Sequence, residues 1–145
     1  MTYPVRNRDG YEIDVARERL DIDFVHRYLS EESYWARGLS RERFVRSLAH
    51  SYCFGLYAPT GEQIGFAKVT TDYARVANLG DVFIAPQERG KGLSKWLVET
   101  ILADEKLEGV AWRLNTYDAH TLYERYGFKR ITSGNLMEKL PGEDG

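Results

Sequence analysis

Cysteine is almost missing from this chain. Of 145 residues only Cys53 is a cysteine, so no intramolecular disulfide can staple the fold and no cysteine-rich zinc site can be assembled. Proline is sparse as well, with four residues, and no Pro/Gly/Ser-rich linker, repeat or low-complexity block interrupts the chain before its last five residues. This reads as one domain over residues 1–140 with a flexible tail over 141–145. No stretch approaches the roughly 18 apolar residues of a membrane span. Residues 1–10 carry Arg6, Arg8 and Asp9 with no apolar run behind them, unlike a secretory signal, so the expectation is a soluble, cytoplasmic protein without a membrane partner. Charge of one sign is lacking too: 20 Lys+Arg against 22 Asp+Glu leave a net charge of -2, which offers nucleic acid no global attraction. That slight acidity leans towards a cationic small molecule as ligand. His26, His50 and His120 show no ligand spacing with one another or with Cys53, so no metal is expected; His120, near a helix start, is the one to watch.

What is present is ordinary globular material, 43% apolar and 29% charged, in a length that buries one core. Tyr11–Val15 alternates as a short strand. Asp21 is placed to cap a helix with Ile22, Val25 and Leu29 inward, and Ser40 to cap a second with Phe44, Val45, Leu48 and Ala49 inward. Tyr52–Ala58 and Gln63–Val69 flank the turn Pro59-Thr60-Gly61-Glu62 as a hairpin. A strand follows over 76–84, then a helix with Leu93, Trp96, Leu97 and Ile101 on one stripe, and a strand over 110–116. Ala119, Leu122, Tyr123 and Tyr126 repeat the helical spacing until Gly127, and Phe128–Glu138 reads as a last strand. Hairpin pairing early and a strand-helix-strand crossover late give an α/β (α+β) fold: a mixed, partly antiparallel sheet flanked by helices. Trp96, Trp112 and Cys53 fit core positions.

The segment Val82–Ser94 carries chemistry. A strand runs through Pro86 into a helix across Arg89-Gly90-Lys91-Gly92, where free amides, the positive end of the helix dipole and two cations suit an anion. The plainer alternative is a glycine turn with surface cations. A Rossmann fingerprint fails, because Lys95 stands where glycine is needed and no acid ends the next strand; the P-loop pattern is absent.

Arg89-Gly90-Lys91-Gly92-Leu93-Ser94 resembles the acetyl-CoA signature of the GCN5-related N-acetyltransferases, and Leu122-Tyr123 with the closing Gly127-Phe128 resembles the same family's last helix. Ser94 departs from the usual small Gly or Ala. The resemblance implies direct acetyl transfer from acetyl-CoA to a primary amine of a small molecule, peptide or protein. Val82, Phe83, Ile84 and the turn Arg89–Ser94 would then bind the cosubstrate. Asn115 or Thr116 stands nearest to the family's CoA-contacting asparagine. Tyr123 would protonate the leaving thiolate, although core packing also accounts for it, and Tyr126 is its fallback. Tyr34 and Trp35 would wall the acceptor pocket, against plain loop packing. Asp81, just before the signature, is the candidate base; pairing with a nearby arginine is the alternative, and Glu12, Asp72 and Asp118 stay open as bases. Transfer from another acyl-CoA and a non-catalytic CoA-binding sensor or interaction module on the same fold are the competing functions. A homodimer is left open.

Overall fold

A computed structural model describes residues 1–142, so the part of the expected tail over 143–145 lies outside the described residues. The chain forms two compact units, Met1–Asn115 and a second beginning at Thr116.

The first unit holds a six-stranded sheet in the order β1 (Val5–Arg6), β2 (Glu12–Asp14), β3 (Tyr52–Tyr57), β4 (Gln63–Thr71), β5 (Val76–Ile84) and β6 (Ala111–Arg113). Neighbours pair antiparallel except β5 and β6, which are parallel across a helical crossover. The mixed, partly antiparallel sheet flanked by helices is therefore present. β1 is a strand that the sequence reading did not find.

Before β3 come α1 (Ile22–Arg27), a π-helical turn over Tyr28–Glu32, and α2 (Arg41–Leu48). Both caps form as expected: Asp21 accepts from the Phe24 amide and Ser40 from the Arg43 amide. Val25, Tyr28, Leu29, Phe44 and Leu48 meet Cys53, Phe66 and Phe83 of the sheet in one buried cluster. Val45 and Ala49, expected inward, are exposed, because an eight-residue helix turns only Phe44 and Leu48 to that cluster. Between β5 and β6, α3 (Leu93–Leu102) buries Leu93, Leu97, Val98 and Ile101 and lies against β5. Trp96 and Trp112 are only half-buried and lie outside the core.

The second unit contains α4 (His120–Glu124), ended by Gly127 at φ +90°, where the Phe128 amide turns back to the Tyr123 carbonyl. No strand forms over 128–138: Gly134 at φ +73° breaks the alternation, and Ile131, Leu136 and Met137 are exposed.

Candidate active site

The site in the first unit starts with an irregularity in β5. Phe66 pairs with Phe83 and Lys68 with Gly80, so one residue of β4 faces two of β5, and Asp81 takes φ +53° in the resulting bulge. On its other side β5 pairs with β6 only through Val76, Ala77 and Asn78. The Ala85 amide donates to the Ile64 carbonyl at 2.7 Å, so strand alternation turns the Phe83 backbone towards β4 and the backbones of Val82 and Ile84 towards the edge that β6 leaves. Of the three residues expected to bind the cosubstrate here, Val82 and Ile84 thus offer backbone groups. Phe83 offers its ring to the core, stacked on Tyr28 with centroids 3.9 Å apart.

The glycine turn follows. Gly90 and Gly92 sit at φ +83° and +75°, a region L side chains avoid, and a methyl group placed on either meets no atom within 4 Å. Gly92 leads into α3 with no side chain capping it, so the first-turn amides of Leu93 and Ser94 have no intrahelical acceptor. Arg89 donates to the Ile84 carbonyl at 3.3 Å and to the Tyr28 hydroxyl at 2.9 Å. Lys91 is held by Glu88 at 2.5 Å and by the Tyr11 hydroxyl at 3.1 Å, and Tyr11 also donates to Glu88 at 2.7 Å. The Lys91 hydrogen bond, then that of Tyr11, keeps the Glu88 carboxyl below its ordinary range; the Glu88 bond raises Lys91. An open, amide-lined turn braced from two sides fits an anionic diphosphate. Glu88 and Tyr11 were not found from sequence; the i, i+3 spacing of Glu88 and Lys91 is the one signal that existed.

Asp81 is the hub of a second cluster. Its Oδ1 accepts from Trp35 Nε1 at 3.0 Å, and its Oδ2 pairs with Lys68 Nζ at 3.1 Å. The structure thus brings Trp35 and Asp81 together, and Asp81 pairs with a lysine, Lys68, where the alternative to its role as base named an arginine. Nothing in the sequence marked Lys68, which meets Asp81 only through the β4–β5 register. Tyr34 lies edge-on to Trp35 at 5.0 Å, and both rings are substantially exposed, at 56% and 42%. The other candidate acids of this unit are engaged: Glu12 with Arg6 and Arg19, Asp72 with backbone amides of its own turn. Asn115 ends the first unit as an exposed residue.

In the second unit the Thr116 hydroxyl accepts from the Ala119 amide at 3.0 Å, so its oxygen is committed to the start of α4. Asp118 is exposed there. Tyr123 is 8% exposed, with its ring edge-on to Phe128 at 5.7 Å. Among the described residues no cluster of His, Cys, Asp or Glu could hold a metal ion, and no helix is long and apolar enough to cross a membrane.

Comparison with known proteins bears on the family and the fold. A model of the acetyltransferase (GNAT) domain matches residues 49–130. The crystal structure of a protein assigned to the GNAT family from Xanthomonas campestris pv. campestris is 40% identical, with a TM-score of 0.86 over 90% of this chain and 92% of that one. A Gibberella zeae protein named "Putative acetyltransferase FG08082" is 28% identical over 120 residues, 70% of this chain and 67% of its own. Glucosamine-6-phosphate N-acetyltransferase from Arabidopsis thaliana shares the fold at 17% identity, with a TM-score of 0.63 over 90% of this chain and 98% of that one.

Proposed function

Because this chain belongs to the GNAT acetyltransferase family, we propose that it transfers the acetyl group of acetyl-CoA directly to a primary amine. The observation that carries the reading is the pairing of an open glycine turn at the start of α3 with a β5 edge that β6 leaves after Asn78. Both features bind an elongated ligand through backbone groups, one through amides around an anion, the other through strand-like pairing.

The cosubstrate supplies an acyl group already activated as a thioester. The amides at the turn and the Arg89 guanidinium hold its phosphates. An outward amide of the bulged strand, from Val82 or Ile84, donates to the acyl oxygen, where negative charge grows during attack. An alkylammonium has a pKa of about 10.4, so the amine must lose a proton before it attacks; Asp81 Oδ1 receives it, directly or through water. By resemblance to the family, Tyr123 is the phenol proposed to give the departing sulfur its proton. Holding both reactants in line supplies much of the remaining acceleration.

The test follows release of CoA thiol from acetyl-CoA and longer acyl-CoAs with a panel of amines, amino acids and N-terminal peptides. Acetyl-CoA should give the fastest release. Tyr123→Phe should lower kcat by about 10²-fold or more with little change in CoA affinity, and Asp81→Asn should flatten the rise of rate with pH. Binding of acetyl-CoA without release to any amine would favour a sensor domain; unchanged kcat in Tyr123→Phe would remove that residue from its role.

A further inference from the structure

The identity of the accepted amine is open under this reading, and the present inference rests on it. Two features, one at Asp81 and one on the loop that carries Trp35, bear on the question.

The first is the charge around Asp81. Lys68 Nζ stands 3.1 Å from Oδ2, with the two side chains 18% and 14% exposed, and Ser47 Oγ accepts from Nζ at 3.3 Å. A carboxylate already balanced by a shielded ammonium attracts an incoming cation weakly, because at short range the second cation is repelled almost as strongly as it is drawn. Oδ1 is the oxygen without a charged partner, its donor being the uncharged indole N–H of Trp35. An amine N–H can replace that donor one for one.

The second is the loop that carries Trp35. Its continuation, Ala36, Arg37, Gly38, Leu39 and Ser40, together with Arg43, lines an open cleft of about 380 Å³. The charged members of this lining are both arginines, and neither forms an ion pair among the described residues. Nearby acids are spent elsewhere: Asp23 on Arg41 and Glu42 on Arg46. Glu31 and Glu32 precede the loop and do not line the cleft. The loop is held in shape, with the Gly38 amide on the Ser30 carbonyl at 3.0 Å and His26 Nε2 on the Leu39 carbonyl at 2.7 Å. Gly38 takes φ +81° with open space where a side chain would begin.

We infer that the accepted amine also bears an anionic oxygen group, a carboxylate or a phosphate, which sits between Arg37 and Arg43 while the amine nitrogen takes the place of the Trp35 indole at Asp81 Oδ1. Guanidinium is the side chain best matched to such groups, through paired N–H donors. The local charge therefore opposes the leaning that the chain's overall net charge of -2 suggests.

Calorimetric titration tests this with aminoalkyl phosphates and amino alkanoic acids of increasing length, each against the plain alkylamine of the same length. Saturating CoA fills the turn after β5 and keeps phosphate from it. At the best length the acid-bearing amine should bind at least about tenfold more tightly than the plain amine, the worth of one charge-assisted pair. Arg37→Ser with Arg43→Ser should bring that ratio close to one, whereas Arg37→Lys with Arg43→Lys, which keeps the charge, should retain part of it. Equal affinities in the wild type, or a preference that survives the serine pair, overturn the inference. The better of the phosphate and carboxylate series identifies the group. CoA-thiol release in the same samples separates the two readings: selective binding without release sinks acetyl transfer and leaves the anion cleft standing, while release without selectivity sinks the cleft alone. Should CoA fail to bind, the transferase reading falls, and titrating the free protein with the same ligands still decides the cleft.

Discussion

At Gly55 the sheet makes room for a hydroxyl. The Tyr57 ring folds back along β3 beneath the Arg19 guanidinium, 3.8 Å away, and a Cβ on residue 55 would stand 2.3 Å from Tyr57 Oη. That oxygen is buried without a hydrogen-bond partner, and burial pushes the phenol's pKa up to about 12. A buried hydroxyl with no partner costs about 1–3 kcal/mol. Tyr57→Phe should therefore raise the unfolding free energy by about 1 kcal/mol in urea titration, and Gly55→Ala should lower it by about 1–3 kcal/mol through overpacking. None of this is written in local sequence, since Gly55 and Tyr57 look like any two strand residues on one face. Arg89, Gly90 and Gly92 are the opposite case. Their chemistry is local, a backbone conformation and a charge within four residues, and so it could be read directly. Asp81 falls between the two: its place before the glycine turn was visible, but its bond to Trp35 spans 46 positions and its pairing with Lys68 depends on strand register.

Among elements, the β4–β5 hairpin is closed by one carboxylate. Asp72 Oδ1 accepts the amides of Ala74, Arg75 and Val76 at 2.9, 2.8 and 3.1 Å. These bonds, that of Arg75 foremost, bring the acid down to about 2 from an ordinary 3.8. The folded chain thus prefers the ionised form more than the unfolded chain does, so this carboxylate stabilises above the ordinary carboxyl range and stops doing so as pH falls through about 2. Thermal melts of Asp72→Asn should lie below wild type by a constant margin at neutral pH, and the margin should shrink on acidification towards pH 2. A pH-independent margin would mean that the charge does not matter to the turn. Element type was legible wherever caps and periodicity agreed, as at Asp21 and Ser40. It was misread over 128–138, where alternating residues resemble a strand but pair with no strand of the sheet. Alternation describes a face, whereas a strand also needs an edge to pair with.

For the whole molecule, the fold class followed from the order of elements, because a hairpin must pair antiparallel and a helical crossover must return parallel. The ties that close the first unit were hidden by their distance along the chain. Asp104, 4% exposed, accepts the Tyr3 and Tyr52 hydroxyls on one oxygen, at 2.6 and 2.5 Å, and the Lys106 amide on the other. It thereby joins the start of the chain, β3 and the end of α3 at one carboxylate. Burial, and then the bond to Asp104, raises both phenols well above their ordinary range, so they remain donors at any physiological pH. Asp104→Asn keeps the shape and removes the charge. Its unfolding free energy should fall by about 2–3 kcal/mol, with a single transition still seen by fluorescence and circular dichroism. A change within error would show that the two phenols find equal partners without it.

The departure of β6 from β5 after Asn78 has one more consequence. A strand end with no neighbour is a template for any extended backbone, and proteins ordinarily shield such edges because they invite chains to stack. Under the proposed acetyl transfer, shielding would also exclude the cosubstrate. On that reading, solubility and catalysis draw on the same few amides and carbonyls between Leu79 and Ile84, and whatever fills that edge during turnover also keeps neighbouring molecules from joining the sheet.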